Sequence, residues 1–266
     1  MEQKFVLDYE SVKEVLEEFE KPIVRFSGGK DSIVLAHFLE PLKDYFTLVL
    51  VNTGANLPHM EEFFEGYKAR FNFVELKSNQ AEYIQKAGYS STLVPVYNQT
   101  NSSNMVKGER KILISDWVTC CANVRGLPFK QYAKQVGSTL SIHGQRNSDI
   151  GGFPQYYLED GVSHWGIIYN WTDADIFYYI KLHNLELPDQ YNYAASHSDK
   201  YRNEDKTLSY DCWNCSASVS NIKVDYLRDK YPHLLEEYKP IVEAVYGAVN
   251  VELNRCMPPI HNLLEG

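Results

Sequence analysis

The chain has 266 residues, 44% of them apolar and 14% aromatic, enough to bury a sizeable core as one domain carrying an appendage. Its formal net charge of −9, with no run of Lys or Arg, argues against a broad basic surface that would hold nucleic acid nonspecifically and leaves room only for a local basic groove. No stretch reaches transmembrane length and residues 1–20 carry no apolar run of signal-peptide length, so the expected setting is the reducing cytoplasm, where paired cysteines point to metal or catalysis rather than disulfides.

Taken in order, residues 11–19 read as an amphipathic acidic helix, and Ile23-Val24-Arg25-Phe26 as a short strand that enters a small polar turn. A helix follows over 33–40. The apolar run 47–51 is the pattern of a strand buried on both faces, and it ends in Asn52-Thr53-Gly54. A helix over 58–70, a strand over 73–76 and a helix over 80–87 continue an alternation that implies βαβ crossovers and a mostly parallel sheet. In such sheets ligands sit at the carboxyl ends of strands, where both 27–32 and 52–54 fall.

The polar stretch 97–107 reads as a loop or lid, followed by the vicinal pair Cys120-Cys121, a helix over 128–136 and a strand over 138–144 that ends in Gln145-Arg146. Residues 149–163 read as a loop or β-hairpin, and 167–169 as a last short strand. Thr172 is placed to cap a helix with acidic residues in its first turn. From 187 onward the chain is mixed, with Cys212-Trp213-Asn214-Cys215 and helices over 224–238 and 241–253. The expected division is a nucleotide-binding α/β domain over 1–185 and a cysteine-bearing, helical appendage over 186–266.

Chemistry concentrates in Ser27-Gly28-Gly29-Lys30-Asp31-Ser32. Glycines without Cβ let the backbone bend and aim its amides at an anion, and the following helix adds the positive end of its dipole. Ser27 and Ser32 supply hydroxyls, Lys30 a mobile cation, and Asp31 a carboxylate that holds the turn or helps bind Mg²⁺. The string lacks the G-x-x-x-x-G-K-[ST] spacing of the mononucleotide P-loop.

The S-G-G-K-D-S string resembles the PP-loop of the ATP pyrophosphatase superfamily, and the resemblance extends from Ile23 to about Cys215. Asn52-Thr53-Gly54 is similar to a D-T-G turn, Gly144-Gln145-Arg146 to a G-x-R turn, and Trp171-Thr172-Asp173-Ala174-Asp175 to the helix start of the phosphoadenosine phosphosulfate (PAPS) reductase branch. The resemblance implies an adenine nucleotide alpha hydrolase-like α/β fold with helices on both sheet faces. It also implies cleavage of ATP between the α and β phosphates, with Lys30, Asp31 and Arg146 as catalytic residues. The nucleotide would lie against residues 27–32, Asn52, Thr53, Gly54, Gly144 and Arg146.

Cys120, Cys121, Cys212 and Cys215 look like the set that holds a [4Fe-4S] cluster in adenylylsulfate reductases and in the ATPase-like component of DNA phosphorothioation systems; zinc is the alternative ligand of four thiolates. The C-terminal E-C-G-x-H nucleophile of sulfonucleotide reductases is missing, while the loop is intact. The implied enzyme therefore cleaves ATP in adenylyl activation or sulfur transfer to an acceptor such as a nucleic acid or a small molecule, with a sulfur-donor protein as a further expected partner. A sulfonucleotide reductase using Cys256, and a non-catalytic nucleotide-binding module with a structural metal, are the competing readings.

Overall fold

A computed structural model describes residues 9–92, 114–149, 154–197, 200 and 212–256. The chain forms two compact units. One comprises Met1–Ser78, Arg125–Asn192 and Ser209–Asp211, the other Asn79–Val124, Tyr193–Leu208 and Cys212–Gly266. No helix among the described residues is long and apolar enough to cross a membrane.

The first unit carries a six-stranded sheet built from β1 (Ile23–Phe26), β2 (Thr47–Asn52), β3 (Phe73–Lys77), β6 (Leu140–His143), β7 (Tyr156–Glu159) and β8 (Val162–Gly166). Spatial order is β3-β2-β1-β6-β8-β7, and every pairing is parallel except β7 with β8. The chain winds outward from β1 through β2 to β3, then returns to β6 on the other side of β1 and winds outward again. Strand order thus reverses between β1 and β6, and the loops leaving those two strands must splay apart there, which opens a crevice.

Helix α2 (Lys30–Leu39) follows β1 directly and buries Ile33, Val34, Leu35, Ala36, Phe38 and Leu39, so it reads apolar nearly all round. On the opposite face α6 (Leu127–Val136) lays Phe129 and Ala133 against Ile23 and Val49. Helices α1 (Tyr9–Glu18), α3 (His59–Lys68) and α7 (Asp173–Leu182) complete the layers. Thr172 caps α7 in a reciprocal box, accepting from Asp175 N at 3.2 Å while its own N–H donates to Asp175 Oδ2 at 2.8 Å.

The last strand falls earlier than the apolar triplet at 167–169. Residues Asp160 (φ 52°) and Gly161 (φ 81°) form the two-residue turn of a hairpin that pairs Glu159 with Val162, while Ile167 and Ile168 are buried within a turn. An Asp-Gly pair suits that turn because both central residues need positive φ, a stronger local signal than three apolar residues.

The second unit contains α4 (Gln80–Ala87), a parallel pair of short strands β4 (Tyr89–Ser91) and β5 (Ile114–Asp116), α5 (Trp117–Cys121), α9 (Asn221–Lys230) and α10 (Pro232–Cys256); α8 (Asp189–Ser196) runs from one unit into the other. The break between the last two helices is at Tyr231, with Pro232 opening the new helix, and Pro240 lies inside α10 rather than at its start. Proline is favoured in a first helical turn, where its missing N–H loses nothing. The segment 97–107 and the side chain of Cys256 lie outside the described residues.

Candidate active site

The turn after β1 is shaped by glycine. Gly28 adopts φ 75°, and a Cβ placed on it would come within 2.6 Å of Met60 Cε and 2.8 Å of Phe64 Cε1, so both conformation and space demand the missing side chain. Gly29 is the N-cap of α2 in extended conformation. The two hydroxyls, Ser27 Oγ and Ser32 Oγ, stand 3.2 Å apart, and Ser32 Oγ donates to Gly29 O at 2.9 Å. Lys30 N donates to the hydroxyl of Tyr191 at 3.1 Å, which satisfies one amide of the helix start from 161 positions away.

The two cations of the site are buried and already surrounded by carboxylates. Lys30, read from the sequence as a mobile cation in an open turn, is only 6% exposed; its Nζ donates to Asp31 Oδ2 at 2.9 Å and lies 3.4 Å from Asp173 Oδ1. Arg146 Nε lies 2.9 Å from Asp31 Oδ1, and its NH2 donates to Asp149 Oδ1 and to Asp173 Oδ1, each at 3.0 Å. Burial opposes charge on Arg146, but the three carboxylates outweigh it and raise the guanidinium above its ordinary pKa. Burial raises the Asp31 carboxyl against the pull of Lys30 and Arg146. Lys30 and Arg146 thus share Asp31 and Asp173.

Gly144 explains how β6 reaches the turn. A Cβ there would sit 3.3 Å from both the carbonyl carbon and oxygen of Asp31, so the backbone after β6 abuts the loop directly. Ser27, Asp31, Ser32, Gly144 and Asp149 line one cavity of about 370 Å³, with Arg125 also at its wall. Asn52 and Gly54 line a neighbouring cavity of about 250 Å³, and Asn56 belongs to both. Asn52 stands where the family's turn has an acid. It donates to Glu75 Oε1 at 2.7 Å and accepts from Gly54 N at 3.0 Å, fastening the turn in which Gly54 takes φ 75°; Thr53 is buried.

Cys120, Cys121, Cys212 and Cys215 all belong to the second unit. Cys120 is buried in α5, Cys121 is exposed, and Cys212 and Cys215 are half-buried at the ends of a turn closed by Cys215 N donating to Cys212 O at 3.1 Å. Among the described residues no group of three or more His, Cys, Asp or Glu is placed to hold a metal ion. What anchors the 212–215 turn is a buried ammonium. Lys223 Nζ donates to Cys215 O at 3.2 Å and to Ser218 O at 3.0 Å, and Tyr238 adds a hydroxyl donor to Cys215 O at 2.8 Å. Burial brings Lys223 down to about 8 despite the nearby thiols.

Magnesium is a different case, since it is commonly held by one or two carboxylates together with substrate phosphates. Asp31 and Asp149 line the same cavity, so two carboxylates suit a hard cation brought in with a nucleotide, which would compete with Arg146 Nε for Asp31 Oδ1. Tyr191, Asp149 and Asp173 are the residues that sequence reading passed over. Asp173 carried a signal, an acid at the first turn of a capped helix, whereas Tyr191 had none.

Residues 21–216 match the phosphoadenosine phosphosulfate reductase domain. The chain is similar to sulfate adenylyltransferase subunit 2 of Mycobacterium tuberculosis (strain ATCC 25618 / H37Rv), 27% identical over 203 residues that cover 68% of this chain and 60% of that protein. It is 45% identical over 62 residues to the protein of the same description from Streptomyces lavendulae, covering 21% of this chain and 19% of that one. Among solved structures, the PAPS reductase of Candida auris in complex with phosphate gives a TM-score of 0.46 at 15% identity over 68% of this chain and 83% of its own. The NH3-dependent NAD synthetase of Campylobacter jejuni gives 0.41 at 14% identity over 89% and 94%.

Proposed function

The chain belongs to the phosphoadenosine phosphosulfate reductase domain family, and from that membership and the cradle after β1 we propose that it binds ATP and cleaves it between the α and β phosphates. The observation that carries the reading is the glycine turn 27–32, seated where strand order reverses, with Gly28 at a positive φ that favours glycine and crowded by Met60 and Phe64.

In the proposed reaction an acceptor oxygen attacks the α-phosphorus in line, the bond from that phosphorus to the α,β-bridging oxygen breaks, and pyrophosphate leaves with the electron pair. The adenylylated acceptor remains. Amides at the start of α2 and the hydroxyls of Ser27 and Ser32 hold the departing phosphates, and Lys30 and Arg146 offset the charge that develops there. Asp31 and Asp149 would hold Mg²⁺, which when bound neutralises phosphate charge and orients the triphosphate. Lys30 and Arg146, shared with Asp31 and Asp173, form a prepaid set: a phosphate that enters exchanges one anionic partner for another and finds both cations already oriented.

Sulfate is the first acceptor to test, because the mycobacterial relative is described as a sulfate adenylyltransferase subunit; a second subunit as partner follows from the same description. The chain spans about 60% of that relative's length, and acceptor and partner are proposed on this likeness alone. No step is assigned to the cysteines. The iron-sulfur centre implied by the sequence resemblance is decided separately, by iron and sulfide analysis of anaerobically purified protein. The test of the central reading is release of pyrophosphate from ATP, with and without sulfate. ATP bound tightly without pyrophosphate release would replace the enzyme by a nucleotide-binding module.

A further inference from the structure

The floor of the 370 Å³ cavity is the sheet face covered by α6, and it is polar where a sheet interior is ordinarily apolar. Period two along β6 puts Ser141 and His143 on that face, next to Arg25 of β1. Arg25 is provided for: Nε donates to Ser141 Oγ at 3.0 Å, NH2 donates to His164 Nδ1 at 3.0 Å, and the guanidinium lies 4.3 Å over the Phe129 ring. His143 is not. It is 3% exposed and lines the same cavity as Ser27, Asp31 and Ser32, yet both of its ring nitrogens are buried without a hydrogen-bond partner.

Two unpaired nitrogens carry a desolvation cost that most buried polar groups avoid, and here they border a cavity that can admit a partner. The ring is also given room. A Cβ at Gly166, its strand partner, would lie 3.2 Å from His143 Cε1. Burial, with the charges of Arg25 and His164, lowers His143 to about 3, so the imidazole is neutral and offers one N–H donor and one acceptor, with its tautomer unset.

We propose that His143 reads the heterocycle of the bound nucleotide, its imidazole hydrogen-bonding the purine edge while Val49, Val51 and Phe129 form the apolar slot around the ring. The inference rests on the proposed nucleotide function and names the residue that would recognise the base. A base fits this position better than a small oxyanion. Val49, Val51 and Phe129 give the cavity an apolar part, and Arg25 has its Nε and NH2 donors turned to Ser141 and His164.

The test compares equilibrium binding of ATP and of inorganic tripolyphosphate, which keeps the charge and lacks the base, by the 266-residue chain and its variants. His143→Phe is expected to weaken ATP about tenfold, the equivalent of roughly 1.4 kcal/mol, and to leave tripolyphosphate unchanged. His143→Gln, which keeps a donor and an acceptor, should regain at least part of the ATP affinity. If His143→Phe does not fold, His143→Leu carries the same comparison. An unchanged ATP affinity, or an equal loss for both ligands, overturns the proposal while leaving the nucleotide reading standing. Wild-type protein that binds neither ligand overturns the nucleotide reading itself, and this inference with it.

Discussion

Replacing Arg146 with Ala removes the guanidinium that three carboxylates share. The Arg146 side chain is 2% exposed, against 23% for Asp31, 31% for Asp149 and 56% for Asp173. The outer two carboxylates face water and their pairing contributes about 0–1 kcal/mol each. Asp31 is the costly one: it keeps Lys30 at 2.9 Å but loses the second cation on its other oxygen. Breaking a buried pair by removing one partner costs about 3–5 kcal/mol, and the partial exposure of Asp31 with its surviving partner puts the expected loss near the low end, about 3 kcal/mol. Against a domain stability of about 5–15 kcal/mol that is a large fraction, and it lowers the melting temperature by about 6–12 °C for a chain of this size. Urea unfolding followed by tryptophan fluorescence measures it. A cycle with Asp31→Asn locates it, since the cost of Arg146→Ala should fall by at least about 1.5 kcal/mol when the carboxylate is already neutral. Arg146→Lys should recover only part of the loss, because a point charge cannot reach all three acceptors at once. A loss below about 1 kcal/mol, or strict additivity with Asp31→Asn, refutes the idea that Arg146 organises Asp31.

Lys30→Ala should abolish pyrophosphate release and, because the ammonium is buried between Asp31 and Asp173, also cost about 1–3 kcal/mol, read in the same unfolding assay. Gly144→Ala should lower ATP cleavage at least about tenfold with a stability loss of about 1–2 kcal/mol, because a Cβ 3.3 Å from the Asp31 backbone pushes the loop away; full activity in that variant would mean that the loop tolerates displacement. Acid should destabilise the first unit through His143. Its folded pKa of about 3 lies below the ordinary 6.5, so the unfolded chain takes up a proton that the folded one refuses; stability is fully present above about pH 6.5 and falls as the pH drops towards 3. At pH 5 the loss from this one group is about 2 kcal/mol, with His164, held at about 4 by burial and Arg25, acting in the same direction. In the His143→Phe variant the slope of stability between pH 6.5 and 5 should shrink accordingly, as urea titrations at several pH values will show.

Much of the fold was legible in local patterns, because it depends on backbone sterics and on periodicity. The apolar run of β2, the alternation of strands and helices, and the Thr172 box all follow from residues within a few positions of one another. The turn 27–32 was legible for the same reason: adjacent glycines between a strand and a helix leave few conformations, and Gly28 takes the left-handed one. The hairpin at 160–161 was legible too, as one of the two readings of 149–163, whereas the strand expected at 167–169 lies within a turn. The partners of the charges were another matter. Lys30 read as a free cation and Arg146 as a phosphate ligand, yet each is held by carboxylates from α2, the loop after β6 and the start of α7, elements that meet only when the sheet is assembled. Tyr191 at the helix start, the unpaired ring of His143 and the Lys223 ammonium beneath the 212–215 turn are of the same kind. The vicinal pair Cys120-Cys121 and the spaced pair Cys212–Cys215 fall within one unit, but thiols ligate a metal only when their sulfurs converge, and that convergence is a property of packing that spacing along the chain does not encode. Local strings settle where the backbone can go; which side chains share a buried charge or a hydrogen bond is decided by long-range packing, since a Coulomb contact is sensitive to ångströms and indifferent to distance in sequence.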